Sequence, residues 1–173
     1  GGDTAFDGTF WDTMRPADVV PKIVENGVAV FLVGGWHDAF QRGAPLNYAA
    51  LQNTFAGRPA GAAMTADQPV SDKFQLMAGP WYHVSDLDGQ HLQALQLRWF
   101  DHWLKDDDTA AVTGAPVRFQ AIGSAKWFRT NAYPFPEATP TRLYLGLGDS
   151  KVRALAEKYG VDAAYFDMAN QLK

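Results

Sequence analysis

Six consecutive apolar residues, Val28-Ala-Val-Phe-Leu-Val33, run into Gly34, Gly35, Trp36, His37 and Asp38, and this stretch restricts the fold more than any other in the chain. It lacks the polar-apolar alternation of a half-exposed strand. Its length and β-branched content therefore predict a strand covered on both faces, as in a parallel sheet with helices on either side. Gly34 and Gly35 carry no Cβ, so the chain there either turns sharply or lets another backbone come close. Open α/β sheets bind ligands beyond the carboxyl ends of their strands. Trp36, His37 and Asp38 are site candidates by that position alone.

The pattern recurs. Lys73-Phe-Gln-Leu-Met-Ala78 reads as a second short strand, again closed by a glycine, an aromatic and a polar residue in Gly79-Pro-Trp-Tyr-His83. Asp38 and His83 lie 83 − 38 = 45 positions apart. That is room for a strand-helix-strand unit, and neighbouring parallel strands would carry both side chains to one edge. Val19 to Glu25 reads as a helical turn stopped at Asn26-Gly27. Leu46 to Phe55 is compatible with a helix, and a surface loop with Gly57, Pro59 and Pro69 follows.

Gln90 to Lys105 has the clearest helical periodicity. Leu92, Leu95, Leu97, Trp99, Phe100, Trp103 and Leu104 fall on one broad arc, with Arg98, Asp101 and Lys105 opposite, which predicts a helix lying on the sheet. Asp101 and Lys105 have the i,i+4 spacing of an ion pair. The charged run Asp106-Asp-Asp108 then marks a boundary. It divides the chain into an α/β unit over residues 1–108 and a β unit over 109–173. The second unit has extended segments at Val117–Ile122 and Arg142–Leu147 and a helical tail from Lys151 to Lys173. So few strands cannot close a sandwich, so they must lean on the preceding unit or on chain outside this sequence.

Composition removes several function classes. A net charge of −4 without a Lys/Arg cluster argues against a nucleic-acid partner. No stretch approaches the roughly 20 apolar residues of a membrane span. The absence of cysteine excludes disulfides, thiolate metal sites and cysteine nucleophiles. No two histidines have metal-ligand spacing, so neither a metal nor another cofactor is expected. Composition leaves open whether the protein is cytoplasmic or secreted.

An Asp and a His on adjacent strand ends are the acid and base of a hydrolytic triad. The carboxylate fixes the imidazole tautomer and stabilises the imidazolium formed when a nucleophile loses its proton. In α/β-hydrolases the chain order is Ser, then Asp, then His, and this sequence supplies the last two in that order. Four blocks then resemble, in order, the cocaine esterase and X-prolyl dipeptidyl peptidase family of serine hydrolases. They are Gly34-Gly-Trp-His-Asp38, Gly79-Pro-Trp-Tyr-His83, Leu97-Arg-Trp-Phe-Asp-His-Trp-Leu-Lys105, and Pro116-Val-Arg-Phe-Gln-Ala-Ile-Gly123 with Lys126-Trp-Phe-Arg129. The resemblance covers about Phe10 to Leu147. It implies an α/β-hydrolase sheet followed by a jelly-roll-like β domain, with cleavage of esters or amides through an acyl-enzyme. By position it assigns Asp38 as the triad acid and His83 as the base, with Trp36, Trp81 and Phe40 at the substrate pocket. For the aromatics, plain packing is the competing reading.

The sequence departs from that family in its serines. None occurs in the first 37 residues, where a Gly-x-Ser-x-Gly elbow belongs, and the four present are Ser71, Ser85, Ser124 and Ser150. Ser150 ends Leu143-Tyr-Leu-Gly-Leu-Gly-Asp-Ser150 and echoes the Gly-Asp-Ser of another esterase class, but in the wrong chain order. The expectation is therefore the carboxyl-side part of a hydrolase sheet and the start of its β domain. The partners expected are a small ester or amide substrate, the amino-terminal half that carries the serine, and, for a homo-oligomer, a second copy of the chain. The alternative is a non-catalytic binding module on the same scaffold, using its aromatics or an open sheet edge.

Overall fold

The computed structural model describes residues 8–12, 14–83, 91–108, 114–139 and 158. The predicted strand Arg142–Leu147, the helical tail apart from Lys158, Ser85 and Ser150 lie outside them. The fold is mixed α/β, a mostly parallel four-stranded sheet with helices. In chain order its elements are α1 (Thr9–Asp12), a 3-10 turn (Pro16–Val19), α2 (Val20–Glu25), β1 (Val30–Gly35), α3 (Gly43–Phe55), β2 (Phe74–Gly79), α4 (Leu92–Lys105), β3 (Val117–Gln120) and β4 (Trp127–Thr130). The strand order is β1-β2-β3-β4. β1, β2 and β3 are parallel and β4 returns antiparallel to β3.

The register sorts the side chains by period two. Val30, Leu32, Phe74, Leu76, Val117 and Phe119 share the face covered by α2 and α3, while Phe31, Val33, Met77 and Arg118 share the face beneath α4. On the first face Tyr48, Leu51, Phe74, Leu76 and Val117 are buried. α3 adds two buried amides, and Gln52 is fully satisfied. Its Nε2 donates to the carbonyls of Ser71 and Phe74 at 2.9 and 3.1 Å, and its Oε1 accepts the Ser71 N–H at 2.8 Å. That clamp fixes the loop feeding β2, a strand buried along its whole length.

Two expectations change here. β1 is parallel but stands at the sheet edge among the described strands, so Val30 to Gly34 are only half-buried. The apolar arc of α4 is covered only in part. Trp99 is buried and stacks on Phe31, and Leu92 and Leu95 are half-buried, but Leu97, Phe100 and Leu104 are exposed. The reason is geometric. α4 sits over Phe31, Val33 and Met77, close to the outer side of β1, and among the described residues no strand lies beneath part of its arc. A cleft of about 290 Å³ between β1 and α4, lined by Val30, Phe31, Val33 and Trp99 among others, marks the gap.

The Asp101–Lys105 pair forms at 2.6 Å. α4 closes on Asp106 in the left-handed region, and His102 Nδ1–H donates to the Asp107 carbonyl at 2.9 Å. Beyond the acidic run, β3 joins the same sheet beside β2, with Leu76 opposite Val117. The extended segment after residue 114 thus leans on the preceding strands. Among the described residues no helix is long and apolar enough to cross a membrane.

Candidate active site

The β1–β2 register places Gly35 beside Gly79, so both chains leave the sheet at one rim. Pairing continues past the strands, with Trp36 N–H donating to the Gly79 carbonyl at 2.7 Å and His37 N–H to the Trp81 carbonyl at 3.2 Å. The glycines make this possible. A Cβ on Gly35 would run into the Trp81 carbonyl, and one on Gly79 would lie inside the Trp81 indole. Close approach is therefore the role of Gly35. Trp36 Nε1–H donates to the Gln120 carbonyl at 2.6 Å, tying the end of β1 to the end of β3 across β2.

On this rim Asp38 and His83 meet, with Oδ2 2.9 Å from Nδ1. A carboxylate only accepts, so Nδ1 carries the proton and Nε2 is left as the basic nitrogen. The other carboxylate oxygen, Oδ1, accepts the Phe40 N–H at 2.8 Å, an Asx turn that pins the acid from behind. That backbone donor, followed by the His83 hydrogen bond, holds the Asp38 carboxyl below its ordinary 3.8. The Asp38 side chain is 16% exposed and that of His83 60%, so the acid is sheltered and the base faces outward. The Phe40 ring meets the imidazole edge-on at 5.5 Å.

The remaining candidates are spread around this pair. Trp36 is half-buried and spends its N–H on Gln120. Trp81 is 2% exposed and packs on Met77 as core, offering almost no surface to a ligand. Phe40 is well exposed beside His83. His37 points elsewhere and stacks on Tyr82 at 5.1 Å. Ser71 precedes β2, at the opposite end of that strand from His83, and its Oγ accepts the Lys73 N–H. The Ser124 Oγ accepts the Lys126 N–H in the turn between β3 and β4. Neither described serine is hydrogen-bonded to His83. No group of three or more His, Asp or Glu among the described residues forms a metal-binding cluster.

Sequence reasoning missed the Phe40 N–H as the anchor of Asp38, although an Asp in a turn signals such a bond. It missed the Gln120 carbonyl altogether, because a backbone partner leaves no mark in residue identity. Comparison of the chain with protein-family models, with curated proteins and with solved structures finds no match to any of them.

Proposed function

We propose that Asp38 and His83 are the acid and base of a serine hydrolase that cleaves an ester or amide bond, with the nucleophilic serine supplied from outside the described residues. The observation that carries this is the 2.9 Å contact at the shared rim of two parallel strands, backed by the Phe40 N–H. In this arrangement Nε2 takes the serine proton as the acyl bond forms and returns it to the leaving group. Asp38, with one hydrogen bond on each carboxylate oxygen, holds the tautomer and stabilises the imidazolium.

On this reading, β1 to β3 with α3 and α4 are the carboxyl-side part of an α/β-hydrolase sheet. The free side of β1 is where the rest of that sheet pairs, and the β3–β4 hairpin leads towards a jelly-roll-like domain. The resemblance of the four sequence blocks supports it, as does the shelter of the acid beside an outward-facing base.

The direct test reads the imidazole. Long-range nitrogen–proton correlation on the neutral ring is expected to report the proton on Nδ1 of His83, and Asp38→Asn to move it. A proton on Nε2 in the unsubstituted chain overturns the assignment. In the enzyme that joins this chain to its serine, Asp38→Asn should lower turnover by about 10⁴. The chain alone should not turn over an activated ester, and stoichiometric fluorophosphonate labelling of Ser150 would move the nucleophile there.

A second reading, a non-catalytic interaction module, is favoured by the half-buried edge strand β1 and the exposed Leu97, Phe100 and Leu104. Native mass measurement separates the two. A stable monomer with no catalytic partner favours the module, and dependence on a second polypeptide bearing a serine elbow favours the hydrolase.

A further inference from the structure

The face beneath α4 carries a feature that the hydrolase reading does not use. In the β3–β4 hairpin, Arg118 stands directly opposite Arg129. Directly opposed residues of an antiparallel pair share a face, with Cβ atoms roughly 4.5–5.5 Å apart, and like charges there are destabilising. Arg118 also lies beside Met77 of β2, on the side that should fill with apolar side chains. The opposite face of the same hairpin does fill that way, with Phe119 stacked on Phe128 and Phe135.

Neither arginine has a carboxylate partner among the described residues, where the ion pairs are Arg15–Asp12, His83–Asp38 and Lys105–Asp101. Arg118 is half-buried, and both its burial and the charge of Arg129 work against its own charge. Two arginines opposed across the hairpin, Arg118 half-buried and Arg129 exposed, with no carboxylate partner among the described residues, suit an anion. They line a cavity of about 320 Å³ with Met77, Leu95, Trp127 and Phe128. That volume is at the small end of ligand pockets. A bare inorganic anion would leave the apolar wall of Leu95 and Trp127 unused. A planar carboxylate matches the guanidinium fork in two parallel hydrogen bonds.

We propose that this cavity binds a small organic carboxylate, its carboxylate held by Arg118 and Arg129 and its aromatic or branched apolar body against Leu95 and Trp127. Binding here does not depend on the Asp38–His83 pair, so the two can fail separately.

The test uses three probes on the full chain: phenylacetate, its neutral isostere phenylacetamide, and inorganic phosphate. Binding is followed by calorimetry and by the Trp127 indole N–H signal. Phenylacetate is expected to bind saturably and shift that signal, with phenylacetamide and phosphate each about tenfold weaker or worse, since the charge-assisted fork and the apolar wall contribute separately. Arg129→Gln should weaken phenylacetate about tenfold while leaving the His83 signals in place, and Arg129→Lys should fall between. Equal binding of phenylacetate and phenylacetamide overturns the arginine role. Phosphate matching phenylacetate overturns the apolar body. Unchanged affinity in a folded Arg129→Gln, or no saturable phenylacetate binding to the unsubstituted chain, overturns the site. Should Arg129→Gln fail to fold by circular dichroism, the three probes on the unsubstituted chain still decide.

Discussion

The two faces of the sheet are covered by helices of opposite character, and the better covered face belongs to the helix with the weaker amphipathic pattern. α3 buries Tyr48, Ala49, Ala50, Leu51, Gln52 and Asn53 in unbroken succession, so it has hardly any wet side to set against a dry one. α4 separates apolar from charged residues cleanly, yet of its residues only Trp99 is buried. An amphipathic arc states which side of a helix is suited to burial. Whether that side is buried depends on how many strands lie beneath it, and α4 stands near the sheet edge.

Substitutions that compare the faces should give unequal answers. Leu76→Ala, on the α3 side of the fully buried β2, is expected to destabilise by about 3 kcal/mol in denaturant unfolding. Leu104→Ala, on the exposed end of α4, should stay within about 0.5 kcal/mol. Equal effects would mean that α4 is as well covered as α3.

Next in size is Gln52→Leu, which strips the Ser71 N–H of its acceptor and the Ser71 and Phe74 carbonyls of a donor. A loss of about 2 kcal/mol is expected, despite the apolar replacement.

The sealed face should also show in alkali. Burial pushes the Tyr48 phenol well above its ordinary 10.0, while its O–H donates to the Asn131 carbonyl at 2.7 Å. The folded state therefore keeps a neutral phenol that the unfolded chain would ionise. Its contribution is complete below pH 10 and is lost as pH rises towards the folded value. Tyr48→Phe should cost about 1 kcal/mol at neutral pH and flatten that alkaline fall.

The smallest effect is at the rim. Because the Asp38 carboxyl is held below 3.8, its contribution is present above that pH and fades only as pH falls through the lower folded value. The hydrogen bond from the His83 Nδ1–H to the Asp38 carboxylate, read as protection of that proton from exchange, should therefore last to a pH below 3.8, and Asp38→Asn should remove that dependence.

Much of the rim was legible in the sequence, because its determinants are local. Two apolar runs, each ended by glycine and an aromatic, specify parallel strands leaving the sheet together, and the meeting of Asp38 with His83 follows from equal strand ends. The half-burial of β1 was not legible, since an edge strand and a central strand of a parallel sheet can have the same residues. β4 was not expected as a strand because Trp127-Phe-Arg-Thr130 lacks the apolar-polar alternation that Val117-Arg-Phe-Gln120 shows at the same length. The arginine pair was out of reach. Arg118 and Arg129 become neighbours only through the hairpin register, and nothing in their separate surroundings announces that register. The burial of α3 hid in alanines and amides, which a hydrophobic pattern does not count.

The Trp36 indole reaching to the Gln120 carbonyl acts as a crossbar over the middle strand. The segment that leads to the acid is thereby tied to the third strand as well as to the second. In hydrogen exchange the amides of Trp36 and His37, both bonded across the rim, should outlast those of the thinly covered α4.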